Sequence, residues 1–196
     1  MATVEKLNKI AKKYNLSHEN KELLCFTAII EELLGKVKKK EFRLFKEFQK
    51  KESLIIVDVG CGYFRYGKAL YAVFYKINPK IRLFAVDKLK FFKDRYYYPA
   101  TFIKGDITKI YLKKYGIEKI DIITAFNPFP GIPDLTNIPK APLLIGCVDW
   151  NKKLFEDSLK KNGFKFVVRQ ENFFWQEMRP WWNNYNPFVA AKPINV

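Results

Sequence analysis

The spacing of apolar residues changes near residue 53, and that change divides the chain. Before it, Val4, Leu7, Ile10, Ala11 and Tyr14 recur at helical intervals until Asn15 interrupts the stripe. Ser17 offers an N-cap for a second helix carrying Leu23, Leu24, Phe26, Ala28, Ile29, Ile30, Leu33 and Leu34, with Gly35 as its closing C′ residue. Lys36, Lys38, Lys39 and Lys40 open a third helix whose apolar set is Phe42, Leu44, Phe45 and Phe48. Residues 1–52 therefore read as an N-terminal helical cap, and residues 53–196 as the domain on which it packs.

From Leu54 the pattern switches to strands alternating with helices. Leu54-Ile55-Ile56-Val57 is an unbroken apolar run, as expected of a parallel strand buried on both faces. It ends in Asp58-Val59-Gly60-Cys61-Gly62, and residues 66–74 then have helical character. Further strands are predicted at 81–87, 101–106, 120–126 and 142–148. A helix over 152–161 closes at Asn162-Gly163, and 164–169 and 187–191 supply the last two strands. Alternating units of this kind predict an α/β fold: a Rossmann-like, seven-stranded, mostly parallel sheet with helices on both faces.

Chemistry concentrates where the first strand ends. Glycines at 60 and 62 let the backbone turn with positive φ and leave no Cβ to hold a ligand away. The following helix aims free N–H groups at the same place. A dinucleotide fingerprint requires a third glycine at 65, where this chain has Arg65. An acid two positions before the first glycine instead suits a ligand with a cationic amino-acid end.

The stretch Asp58-Val59-Gly60-Cys61-Gly62-Tyr63-Phe64 resembles motif I of the class I S-adenosylmethionine-dependent methyltransferases, with Phe64 at the position of the last glycine. Asp87, 25 residues after Gly62, has the spacing of a carboxylate that accepts ribose hydroxyls. Asp106 resembles the acid that takes the adenine amino group in that family, while the backbone of Ile107 meets the ring. Lys88 differs from the apolar residue that often follows the ribose acid. The resemblance covers roughly residues 54–191. It implies S-adenosyl-L-methionine as cofactor, residues 53–196 as the catalytic domain, and Asp58, Gly60, Cys61, Gly62, Asp87, Asp106 and Ile107 as its binding residues.

After the fourth strand, Asn127-Pro128-Phe129-Pro130 is similar to the D/N/S-P-P-Y/F motif of amino-group methyltransferases. The resemblance implies that Asn127 and Pro128 accept hydrogen bonds from a target NH2 while Phe129 stacks on its plane. In this chain the aromatic comes one position early and the second proline one late. A proline-rich turn leaving a strand is the competing explanation. Two aromatic-rich stretches, 91–98 and 173–185, are candidates for a substrate wall or for core packing, with Trp181 and Trp182 the best placed for exposure.

Composition narrows the partner. The formal charge of +16 on 196 residues favours a polyanion, so RNA is the expected substrate. The abundance of Lys, Ile, Asn, Phe and Tyr is also what AT-rich coding would give. Methylation of a protein or small molecule, and a non-catalytic RNA-binding module with this fold, remain alternatives. Cys25, Cys61 and Cys147 are scattered, which points away from disulfides and metal and predicts a reduced, cytoplasmic protein. No apolar run approaches a membrane span, so no membrane partner is expected. His18, the one histidine, stands in the cap, far from the glycine turn. Oligomeric state is left open.

Overall fold

A computed structural model describes residues 2–62, 66–88, 100–126, 132–147, 152–170 and 188–194. Three helices come first: α1 (Ala2–Tyr14), α2 (Lys21–Lys40) and α3 (Phe42–Lys50). Helix α1 ends where the apolar stripe does. Asn15 takes the left-handed conformation at φ 52, and the Leu16 N–H returns to the Ala11 carbonyl at 3.0 Å, closing the helix as a C′ residue does.

Helix α2 departs from the sequence expectation at both ends. It begins after Asn20, whose side chain accepts the Leu23 N–H at 3.0 Å; Ser17 instead accepts the Glu19 N–H within the preceding turn. Gly35 does not close it. The helix runs on through Lys36–Lys40, so those lysines form its last turns and do not begin a third helix. The reason is burial. Val37 continues past the glycine the buried stripe that Leu33 and Leu34 bring up to it. Burying that side chain contributes roughly 1.5–3 kcal/mol, against a cost of about 0.5–1 kcal/mol for a mid-helix glycine.

Seven strands follow: β1 (Leu54–Val59), β2 (Ile81–Asp87), β3 (Ala100–Lys104), β4 (Ile122–Phe126), β5 (Leu143–Cys147), β6 (Phe164–Gln170) and β7 (Phe188–Pro193). Helix α4 (Gly67–Tyr75) follows β1, and α5 (Lys152–Lys161) precedes β6. The sheet order is β3-β2-β1-β4-β5-β7-β6, with β7 antiparallel to both its neighbours and the other pairings parallel. Strand bounds differ from the sequence expectation by one or two residues, as termini do.

Alternation along each strand builds two cores. Leu54, Ile56, Leu83, Ala85, Ile122 and Ile145 face the layer of α1–α4, in which α2 packs on α4, β6 and β7. Val57, Val59, Phe84, Val86, Ile123 and Leu144 face the other way, onto Phe155 and Leu159 of α5 and onto Leu112, Ile117, Ile132, Leu135 and Ile138. The N-terminal helices therefore share one core with the first face of the sheet. At the edge strand β6 the register shifts between Phe166 and Val168, and the carbonyl of bulged Val167 accepts the Lys40 ammonium at 2.9 Å.

Candidate functional site

In an open sheet of this kind, ligands bind beyond the carboxyl ends of the strands, at the point where strand order reverses. Here that point lies between β1 and β4. Parallel register sets Asp58 beside Thr124, two polar side chains in otherwise apolar strands. The Thr124 hydroxyl donates to Asp58 Oδ1 at 2.6 Å. Asp58 is 4% exposed. Burial pushes its carboxyl up to about 7, opposed by the Thr124 hydrogen bond and reinforced by the charge of Asp87.

The turn after β1 is held from below and from the side. Gly60 and Gly62 have φ of 66 and 50. The N–H groups of Gly60 and Cys61 both donate to the Val86 carbonyl, at 2.9 and 3.3 Å. The Gly62 N–H donates to Asp87 Oδ2 at 2.8 Å. Thus the acid ending β2 fastens the glycine turn that follows β1. Among the described residues, an added Cβ at Gly62 would meet nothing within 4 Å. Cys61 is half-buried, and burial together with Asp58 and Asp87 raises its thiol far above the ordinary range. Such a thiol is a poor nucleophile; the backbone of Cys61 is what the turn uses.

Asp106 lies just beyond β3. Its Oδ1 accepts the Thr108 N–H at 3.0 Å and the Thr108 hydroxyl at 2.8 Å, and its Oδ2 pairs with Lys88 at 3.0 Å. The Thr108 hydrogen bonds, and then Lys88, hold this carboxyl down to about 2. Ile107 is buried in the second core. Asp58, Gly60, Cys61, Gly62 and Asp87 therefore form one connected cluster, and Asp106 with Ile107 adjoins it through Lys88. Asn127, Pro128, Phe129, Phe64 and both aromatic-rich stretches lie outside the described residues.

Several residues at this end were not singled out from sequence. Thr124 is one; a polar residue within Ile122-Ile123-Thr124-Ala125-Phe126 was the available signal. Phe26 of α2 is another. It stacks on Tyr66, the N-cap of α4, with centroids 4.1 Å apart, and meets Phe126 edge-on at 4.9 Å. The Tyr66 hydroxyl donates to Glu22 at 3.0 Å. Helix α2 thus supports both the start of α4 and the end of β4, immediately before Asn127. No local pattern marks that contact.

Chemically, the cluster suits a cation beside the glycine turn. The charge of Asp87 adds to the cost of ionising the buried Asp58, and a positive group beside them would relieve it. Among the described residues no group of His, Cys, Asp and Glu is arranged to hold a metal ion, and no helix is long and apolar enough to cross a membrane.

No family model matches the chain, and no curated protein matches it in sequence. Solved structures do match. A Listeria monocytogenes protein described as a class I S-adenosylmethionine-dependent methyltransferase aligns with a TM-score of 0.52 at 15% identity, over 88% of this chain and 60% of that one. The chain thus spans about three fifths of that protein's length. TrmK of M. capricolum, in complex with S-adenosyl-homocysteine, aligns with a TM-score of 0.46 at 13% identity, over 79% of this chain and 68% of that one. The first bears on the fold, and on the fold alone. The chain has the fold of the class I S-adenosylmethionine-dependent methyltransferases.

Proposed function

We propose that this protein is an S-adenosylmethionine-dependent methyltransferase acting on an amino group of RNA. The observation that carries this is the Asp58–Asp87 pair flanking the positive-φ turn Gly60-Cys61-Gly62 at the switch point of the sheet. In this assignment Asp58, Gly60 and Gly62, with the Cys61 backbone, hold the cationic methionine end. Asp87 accepts the ribose hydroxyls, and its present bond to the Gly62 N–H fixes its position beforehand. Asp106 and the Ile107 backbone take adenine, with Lys88 shifting from Asp106 Oδ2 to admit the amino group.

When bound, the cofactor supplies a methyl carbon already activated by its sulfonium. What the protein must add is alignment of the acceptor and exclusion of water. Asn127 and the Pro128 carbonyl hold the two hydrogens of the acceptor NH2, so that its lone pair points at the methyl, and Phe129 stacks on the acceptor plane. The net charge of +16 supports RNA over a small neutral acceptor.

A non-catalytic RNA-binding module is the second possibility, favoured by Phe64 in place of the last glycine and by the altered order of Asn127-Pro128-Phe129-Pro130. Labelled methyl from the cofactor, offered to fractionated RNA, protein and metabolite pools of the source cell, separates the cases. Label in RNA is expected. Label in protein or metabolites alone overturns the RNA assignment, and label in none of them favours the module.

A further inference from the structure

The corner between α2 and α3 carries two features that the fold does not require. Lys36, Lys39 and Lys40 lie exposed on the last turns of α2, and Arg43, Lys46 and Lys50 lie exposed along α3 at intervals that share one face. The α2 lysines complement the dipole at that helix's C-terminus. Arg43 does the opposite, because it stands in the first turn of α3, where a cation opposes the dipole, and no acid accompanies it there. The N-cap Glu41 makes no capping hydrogen bond; its carboxylate pairs with Lys192 at 2.6 Å. Glu47 is the remaining acid on α3 and is exposed. The second feature is Phe42, the first residue of α3, which is 54% exposed with Lys46 Nζ 5.4 Å from its ring centroid.

We propose that this corner is an RNA-docking surface, its cations holding phosphates and Phe42 stacking on an unpaired base. The proposal rests on the RNA acceptor inferred above and places a second contact away from the methyl-transfer site. Helix α2 sets the distance. Phe26 stacks on Tyr66 at the start of α4 and meets Phe126 at the end of β4, and Lys40 stands fourteen residues on, about 21 Å along the axis at 1.5 Å per residue. A folded RNA spans that separation and a metabolite does not. An anionic membrane fits less well, since an interfacial helix needs a broad apolar face. On α3, Phe45 and Phe48 are buried, which leaves Phe42 to meet lipid by itself.

The test uses the full chain, a bulk tRNA preparation as probe, and fluorescence anisotropy over a salt series. Phe42→Ala should weaken binding about 5-fold or more. The triple variant Lys39→Glu, Arg43→Glu, Lys46→Glu should flatten the slope of log affinity against log salt by roughly 2–3, at roughly 0.7–0.9 per lost phosphate contact. Thermal unfolding like that of the wild type certifies that both variants are folded. Unchanged tRNA affinity and salt slope in the triple variant would overturn the proposal. So would loss of binding to phosphatidylserine vesicles with tRNA binding intact. If the wild type transfers no methyl yet binds tRNA through this corner, the docking surface stands and the catalytic assignment falls.

Discussion

Asp58→Asn is expected to stabilise the protein while impairing its site. In the folded chain the Asp58 carboxyl is pushed from an ordinary 3.8 up to about 7. Between those values the folded state binds more protons than the unfolded state, so stability falls as pH rises. The protonated acid's contribution is fully present below about pH 4 and is lost as pH climbs through about 7. A shift of roughly three units, at 1.36 kcal/mol each, sets an upper bound of about 4 kcal/mol. Asparagine has the same shape and no charge to desolvate, so it escapes the penalty. The Thr124 hydroxyl then donates to a neutral oxygen instead of a charged one, which offsets about 1 kcal/mol. The expected net gain is about 2–3 kcal/mol near pH 8, shrinking towards zero near pH 4. Urea denaturation followed by circular dichroism, on both proteins across that range, gives the difference directly. A variant no more stable than wild type near pH 8, or a difference that does not change with pH, would refute the assignment of Asp58 as a buried, electrostatically strained carboxyl.

Three further substitutions probe the surroundings of the site. Phe26→Ala removes the ring held against Tyr66 and Phe126 and should cost about 3–5 kcal/mol in denaturant unfolding, with Phe26→Leu costing clearly less. Gly146→Ala would place a Cβ 2.8 Å from the Ala125 carbonyl oxygen and 3.0 Å from the Phe155 ring, so Tm should fall by an amount matching about 1–3 kcal/mol of overpacking. Lys88→Ala frees Asp106 Oδ2, and calorimetric titration should show tighter binding of S-adenosylhomocysteine; weaker binding would mean that Lys88 holds the ligand and does not compete with it.

The central strands were legible in the sequence because they are largely buried on both faces, so that Leu54–Val57 and Leu83–Val86 need no partner information to be recognised. The glycine turn and the acids after it were legible for a related reason. A left-handed backbone and a carboxylate at a strand end each demand particular residue types. What stayed hidden depends on tertiary contact. Gly35 looked like a helix end, and only the burial of Val37 carries α2 past it. Ser17 and Asn20 are equally good caps by composition, and the Leu23 N–H decides between them. Thr124 gains its meaning only when β4 lies beside β1 in register. Phe26 resembles any other apolar residue of its helix until α4 and β4 close around it.

Calorimetric titration of S-adenosylhomocysteine into the wild-type chain and into Asp87→Ala tests the central claim most directly, because Asp87 both faces the proposed ribose and fastens Gly62. Saturable binding to the wild type that disappears in a folded Asp87→Ala variant is the predicted result. A folded wild type that takes up no ligand, or a variant that binds as tightly as the wild type, would contradict the assignment of this cleft to a sulfonium nucleoside.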